Sequence, residues 1–434
     1  MAPSGETTLP TAARRPWELY GARDRRRFLA VLFAISASNY VDRNIIGVLL
    51  EPIKNEFQVS DTLLGLLSGF AFALFYATLG IPVARWADRG DRKLIVTLSL
   101  SVWSVMTALC GMAASFWQLA VARFGVGAGE AGAIPPAQSL LADYYPPEQR
   151  GRAIGIFMLS ATVAYAIAMV LGGWVAQRYG WRMAFVTVGV CGLLLAPIAH
   201  AVLKEPRKLP QFAPCAEARA STGAAIRALL AKPSYRLILA AIVGYFMVAY
   251  GAMVFIVSLT IRLHGLDVAT AGAVFGAISA VGATAGNLAG GALGDRFARR
   301  GIAAYARLAG IGMILAMPFF QMAFFAPGLW MMVALLMVAM MLMWGAVPPM
   351  FAALHAVCGS ARRAMAVAVA FFFANLIGLG LGPLVTGALS DAFAVEMGPG
   401  EGLRLAMTIV MIVFLPAGWL MTRAARHMAA DSED

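Results

Sequence analysis

Ala84-Arg-Trp-Ala-Asp88-Arg89-Gly-Asp-Arg92-Lys93 and Gly291-Ala-Leu-Gly-Asp295-Arg296-Phe-Ala-Arg299-Arg300 are two versions of one phrase, small-x-x-x-Asp-Arg-x-x-basic-basic, set about half the chain apart. A weaker echo follows each of them: Glu148-Gln-Arg150-Gly-Arg152-Ala after the first and Ser360-Ala-Arg362-Arg363-Ala after the second. Self-similarity at a long fixed offset marks a duplicated structural unit. Each copy of the phrase follows an apolar run and precedes another, so it sits in a short loop between two buried elements.

The apolar runs identify the solvent. The chain has 434 residues, 61% of them hydrophobic and 13% charged, with a mean hydropathy of +0.77. Soluble domains carry about a quarter charged residues, so this surface cannot face water throughout. The runs are roughly 20 residues long, the length of helix that spans a bilayer core at about 1.5 Å per residue. They do not alternate as barrel strands would. Twelve spans follow, at about 28–50, 62–85, 94–115, 117–142, 152–176, 181–203, 234–262, 267–293, 302–326, 328–357, 363–391 and 403–424. The polar N-terminus and the interrupted first run read as a retained helix, not a cleaved signal.

An even number of spans puts both termini on one side, and the basic residues say which. The N-terminal tail, the two Asp-Arg loops, the 204–233 loop and the C-terminal tail hold most of the 34 Lys and Arg, while the opposite side has Lys54, Arg178, Arg182, Arg262 and Arg404. The positive-inside rule then places both termini in the cytoplasm. The net charge of +12 is thus explained by topology, and no nucleic-acid partner is implied. The proline-bearing loop 204–233 divides the chain into an N-terminal tail (1–27), a six-helix bundle (28–203), a linker with a short amphipathic helix near Gly223–Ala231, a second bundle (234–424) and a C-terminal tail (425–434). Equivalent loops on the same side make this a parallel repeat. The cysteines Cys110, Cys191, Cys215 and Cys358 lack metal or disulfide spacing and read as thiols. The four histidines sit at helix ends or tails.

The doubled Asp-Arg loop, together with Arg123-Phe-Gly-Val-Gly127-Ala-Gly129-Glu130, resembles the major facilitator superfamily over nearly the whole chain. Asn39-Tyr40-Val41-Asp42-Arg43, Arg123 with Glu130, and Gly380-Leu-Gly382-Pro383 running to Ser390-Asp391 are similar to its spinster-like branch, which includes sphingosine-phosphate and lysophospholipid transporters. Ala84 and Asp91 depart from the superfamily's usual glycines, and Ala164–Gly173 lacks the Gly-Pro element of many drug/proton antiporters. The resemblance implies an all-α fold of twelve transmembrane helices in two pseudo-symmetric bundles. It also implies that Asp88, Arg89, Arg92, Arg150, Asp295 and Arg296 belong to cytoplasmic gating loops, in which Asp88 and Asp295 latch the two bundles in the outward-open state.

Four charges lie deep inside apolar runs: Asp42, Arg43, Arg123 and Glu130. A charge at mid-bilayer costs roughly 2.5–3.5 kcal/mol on insertion scales, so such residues face a partner or a cavity. Arg123 and Glu130 are two turns apart on one helix face, about 10 Å along the axis, at depths similar to Asp42-Arg43. The reading is that Glu130 and Asp42 handle protons, that Asp42 holds or switches Arg43, and that Arg123 contacts an anionic headgroup. A static ion network joining helices one and four is the bland alternative. Cavity-lining candidates are Asn39, Tyr40, Tyr76, Tyr165, Tyr250, Trp344, Phe372 and Asn375; Asn287 is a further polar residue in an otherwise apolar C-terminal half.

A charged half facing an apolar half suits an amphiphile better than a sugar. The expectation is a monomeric, multi-pass inner-membrane secondary transporter, with a small amphipathic substrate of lysophospholipid or sphingolipid type, protons as coupling ion, and no other cofactor or metal. A proton-coupled drug or organic-anion exporter and a non-transporting lipid sensor are the other readings. With no nucleotide loop or nucleophile constellation, no enzyme is expected.

Overall fold

The computed structural model describes residues 15–209 and 222–431, and those residues are helical almost throughout. Twelve helical spans cross the molecule: α1 (Ala22–Phe57), α2 (Asp61–Gly65 continued through Leu66–Phe70 and Ala71–Arg89), α3 (Arg92–Met112), α4 (Phe116–Glu130 continued by Ile134–Tyr144), α5 (Pro147–Tyr179), α6 (Trp181–Val202), α7 (Pro233–His264), α8 (Val268–Ala298), α9 (Ala303–Phe324), α10 (Leu329–Gly359), α11 (Met365–Met397) and α12 (Pro399–Ala424). Ten of these are long and apolar enough to cross a membrane by composition alone; α1 and α4, which carry the four deep charges, fall outside that set. A short helix, Thr222–Ala231, precedes α7. Odd-numbered helices run from the face where α1 begins (the terminal face) to the opposite one (the far face), and even-numbered helices return.

Local chemistry sets the helix shapes. Pro135 and Pro136 cannot donate backbone hydrogen bonds and disfavour helix in the residue before them, and α4 breaks into turn at Ala131–Ala133. Above the break, a methyl on Gly127 would come 2.6 Å from the Phe72 carbonyl, and one on Gly129 2.7 Å from the Trp103 nitrogen, so glycine lets α4 lie directly on α2 and α3. The outward face of α3 is a stripe of Leu94, Leu98, Val102, Val105, Leu109 and Met112, exposed at the spacing of a lipid-facing helix side.

The bundles meet along two seams. In one, α5 packs on α8: Gly272 and Gly276 lie against Met169, and Gly173 lies near the Val268 carbonyl. In the other, wide π turns in α2 (Leu66–Phe70) and α11 (Ala374–Leu379) come together, with Gly69 against Pro383 and the Gly380 carbonyl. Both lie on the far half of the molecule. Toward the terminal face α8 turns to its own bundle, where Gly286 packs on Gly345 and Trp344.

Candidate functional site

The cavity between the bundles has a volume of about 250 Å³. Its N-terminal wall includes Tyr40, Arg43, Asn44, Ser68, Thr162 and Tyr165; its C-terminal wall includes Phe246, Tyr250, Phe275, Asn287, Met340 and Trp344. Of the lining residues expected from sequence, Tyr40, Tyr165, Tyr250 and Trp344 are there. Tyr76 stands behind the wall, its ring 4.7 Å beneath the Arg43 guanidinium. Asn39 is fully buried, Phe372 is exposed, and Asn375 turns its amide onto the Phe371 carbonyl of its own helix at 2.8 Å. Those three are not among the residues that line the cavity.

The four deep charges form two ion pairs between α1 and α4. Arg43 donates to Glu130 Oε2 from Nη2 at 2.9 Å and from Nε at 3.2 Å. Arg123 donates from Nη1 to Asp42 Oδ1 at 3.0 Å, and the Thr107 hydroxyl donates to Asp42 Oδ2. Asp42 therefore holds Arg123, not Arg43. Consecutive residues on a helix point about 100° apart, so one of the pair looks into the cavity and the other into the bundle core. Arg123 is completely buried and lies outside the cavity, which leaves Arg43 as the cation an anionic group in the cavity would meet. The Arg43 guanidinium also lies 4.7 Å from the Phe72 ring and 5.7 Å from Tyr40, an aromatic cradle favourable to a cation. Glu130 Oε1 has no hydrogen-bond partner among the described residues. One carboxylate oxygen is thus committed to Arg43 and the other is open to a proton.

A second charged assembly seals the far end, and it joins the bundles. Arg262 on α7 donates to Asp61 on α2 (Nη1–Oδ2 2.7 Å, Nη2–Oδ1 2.8 Å) and to Glu51 on α1 (Nε–Oε2 3.0 Å). Lys54 donates to Asp61 Oδ1 at 2.6 Å, and the Ser390 hydroxyl of α11 donates to its Oδ2 at 2.6 Å. Asp391 on α11 accepts from the backbone N–H groups of Asp61 and Thr62, each at 2.8 Å, capping the start of α2. In the sequence, Lys54 and Arg262 stand out only as basic residues of that face and Ser390-Asp391 only within a resemblance. The usable signal was the scarcity of basic residues on that face, which makes Arg262 conspicuous.

Two of the loop residues on the terminal face make contacts within the N-terminal bundle. Arg92 is buried, and donates to Glu205 (Nη2–Oε1 2.6 Å), Asp143 (Nη2–Oδ2 2.6 Å) and Ser139 (Nη1–Oγ 2.8 Å). Those contacts tie the ends of α3, α4 and α6 together inside the N-terminal bundle while the far end is closed. Arg150 likewise donates to the Ala142 carbonyl at 2.7 Å and sits over Trp17 in the same bundle. Asp295 and Arg296 are exposed on α8. The side chains of Asp88 and Arg89 lie outside the described residues, as does Cys215. Cys110 and Cys191 are free thiols, one buried and one exposed. Among the described residues no cluster of His, Cys, Asp and Glu is suited to a metal ion.

Comparison with known proteins agrees with this architecture. The profile of the Major Facilitator Superfamily matches residues 32–383. An MFS-type efflux pump of Mycolicibacterium smegmatis is 31% identical over 411 residues, covering 94% of this chain and 95% of that protein. Protein spinster homolog 1 of Xenopus tropicalis is 26% identical over 433 residues, covering 92% and 80%. Crystal structures of a bacterial homologue of the human lysosomal transporter Spinster, inward-facing in unoccupied and occupied forms, superpose with a TM-score of 0.86 at 32% identity, covering 96% of this chain and 100% of that one.

Proposed function

The chain belongs to the major facilitator superfamily, and from that premise we propose that it is a proton-coupled secondary transporter of an amphipathic, lysophospholipid- or sphingolipid-like substrate. The observation that carries this reading is the two-sided cavity. One wall presents Arg43, held by Glu130, and the other presents Phe246, Tyr250, Met340 and Trp344. An anionic headgroup is met by the guanidinium, and a hydrocarbon tail by the C-terminal wall. Removal of apolar surface from water drives the tail's entry.

In this reading the protein is a monomer in an inner membrane with both termini cytoplasmic, and with the far end closed the substrate reaches the cavity from the cytoplasmic side. Arg43 is shared by two anions in turn. A headgroup that draws Arg43 away leaves Glu130 as an unpaired buried carboxylate, and a proton removes that cost. Glu130 carries the coupling proton at the cavity, and the Asp42–Arg123 pair forms a second, enclosed site.

The test is flux of a fluorescent lysophospholipid in proteoliposomes, with and without a pH gradient, in wild type and Glu130→Gln. Gradient-stimulated flux that disappears in the variant supports the reading; equal stimulation in both removes Glu130 from coupling. The 31% identity to an MFS-type efflux pump favours export, and a drug or organic-anion exporter of the same fold is the second reading. It would be preferred if lysophospholipid flux were no greater than in empty liposomes while an organic anion exchanged saturably.

A further inference from the structure

Asp42 is enclosed on every side by its own bundle. The groups facing it are Arg123 and Glu130 from α4, Thr107 and Cys110 from α3, and Arg43 from its own helix. It does not line the cavity. A proton bound there needs a route, and the structure contains a polar lane that the substrate site does not use.

One turn toward the terminal face from Asp42 lies Asn39, fully buried, with neither amide atom hydrogen-bonded. One turn in the same direction from Thr107 lies Ser104, buried, with its hydroxyl also without a partner. Arg123 Nε is a further buried donor without a partner. Each such group in a native interior calls for an explanation, commonly an ordered water. Gly192 of α6 lets the Ser104 hydroxyl in: a methyl there would collide with Ser104 Oγ and would touch Ser38 Oγ at 3.4 Å, so hydroxyls from α3 and α1 gather at one point against α6. Farther along the same side of α3, Ser101 and Thr97 continue the hydroxyls, with Ser101 donating to the Thr97 carbonyl at 2.9 Å.

We propose that the unpartnered polar groups of Asn39 and Ser104, with Ser38 beside them, hold water, and that this hydrated lane delivers protons to Asp42 from the terminal face, apart from the substrate cavity. The step balances simply: water bound at Asn39 and Ser104 passes a proton to a carboxylate oxygen of Asp42 and is reprotonated from the water behind it. The neutral acid then releases Arg123 from its charge partner. The inference rests on the proton-coupled reading above.

The experiment uses full-length protein in proteoliposomes and compares gradient-driven lysophospholipid uptake with exchange at equal pH. In Ser104→Ala and in Asn39→Leu, uptake should fall by about tenfold relative to exchange, below the usual contribution of a positioned proton-transfer group because water remains. The solvent deuterium isotope effect on uptake should rise in both, and Ser104→Thr should restore it. Uptake and exchange falling in parallel would make these residues structural and overturn the proposal, as would unchanged uptake in both variants with protein shown to be folded. Wild-type uptake indifferent to the gradient would instead end the proton-coupled reading, and this lane with it.

Discussion

Arg262→Met should open the far face. The guanidinium is the one cation from the C-terminal bundle in the far-face cluster, and it engages two carboxylates of the other bundle, Asp61 and Glu51. Side-chain exposure is only 6% for Arg262, 12% for Glu51 and 1% for Asp61. Breaking a buried pair by removing one partner costs about 3–5 kcal/mol, because the remaining charge stays desolvated. Lys54 and Ser390 still satisfy part of Asp61, so the lower value applies. When the bundles part at this end, both carboxylates regain water and the loss is not felt. The substitution therefore acts on the difference between closed and open states, and about 3 kcal/mol shifts their ratio by about a hundredfold. Spin labels on Asn55→Cys and Glu396→Cys, both exposed at the far ends of α1 and α11, read that separation as a distance distribution in a background without native cysteines. The longer-distance population should become dominant in Arg262→Met and intermediate in Arg262→Lys, which keeps the charge but loses the fork. An unchanged distribution in the methionine variant would refute the reasoning, since the closed state would then owe its population to the seams and to the Ser390 and Asp391 hydrogen bonds with α2.

Gly387→Val should act in the same direction, because any Cβ there collides with the Asp61 backbone, and the same labels would report it. Arg92→Ala should behave differently: the melting temperature falls through loss of about 3–5 kcal/mol from the Glu205–Asp143 cluster, while the far-face distances stay as in wild type. Asp91→Ala should cost about 1 kcal/mol at neutral pH, since Asp91 caps α3 by accepting from the Leu94 N–H at 3.0 Å. Burial opposes ionisation of that carboxyl, but hydrogen bonds from Lys208 and Leu94 outweigh it and hold the group below its ordinary range. A lowered value in the folded state means the contribution is present above the unfolded value and is lost as pH falls through the folded one. Melting curves of wild type and variant should converge on acidification.

The fold was legible because the bilayer imposes a length on every apolar run, and because the doubled Asp-Arg loop betrays a duplication. The deep charges were legible for the same reason: in a run that must cross hydrocarbon, Asp42, Arg43, Arg123 and Glu130 have no cheap explanation. Their pairing was not. Asp42 and Arg43 are neighbours in sequence, and only the rotation of α1 decides which of them meets Arg123. The far-face cluster was hidden because Glu51, Lys54, Asp61, Arg262 and Asp391 are ordinary helix-end residues taken singly, and become a cluster only when two bundles close. The burial of Arg92 was hidden for a related reason, since Glu205, which folds back over this gating-loop residue, lies far along the chain. The π turns of α2 and α11 leave no mark in hydrophobic periodicity.

Because Asp42 and Arg43 are joined by a single peptide bond, α1 works as a crank with two arms. A turn of the helix that swings one arm off Glu130 swings the other across Arg123, and a translation along the axis displaces both by the same amount. Events in the cavity and events in the sealed core of the bundle therefore share one shaft, although the two ion pairs have no residue in common.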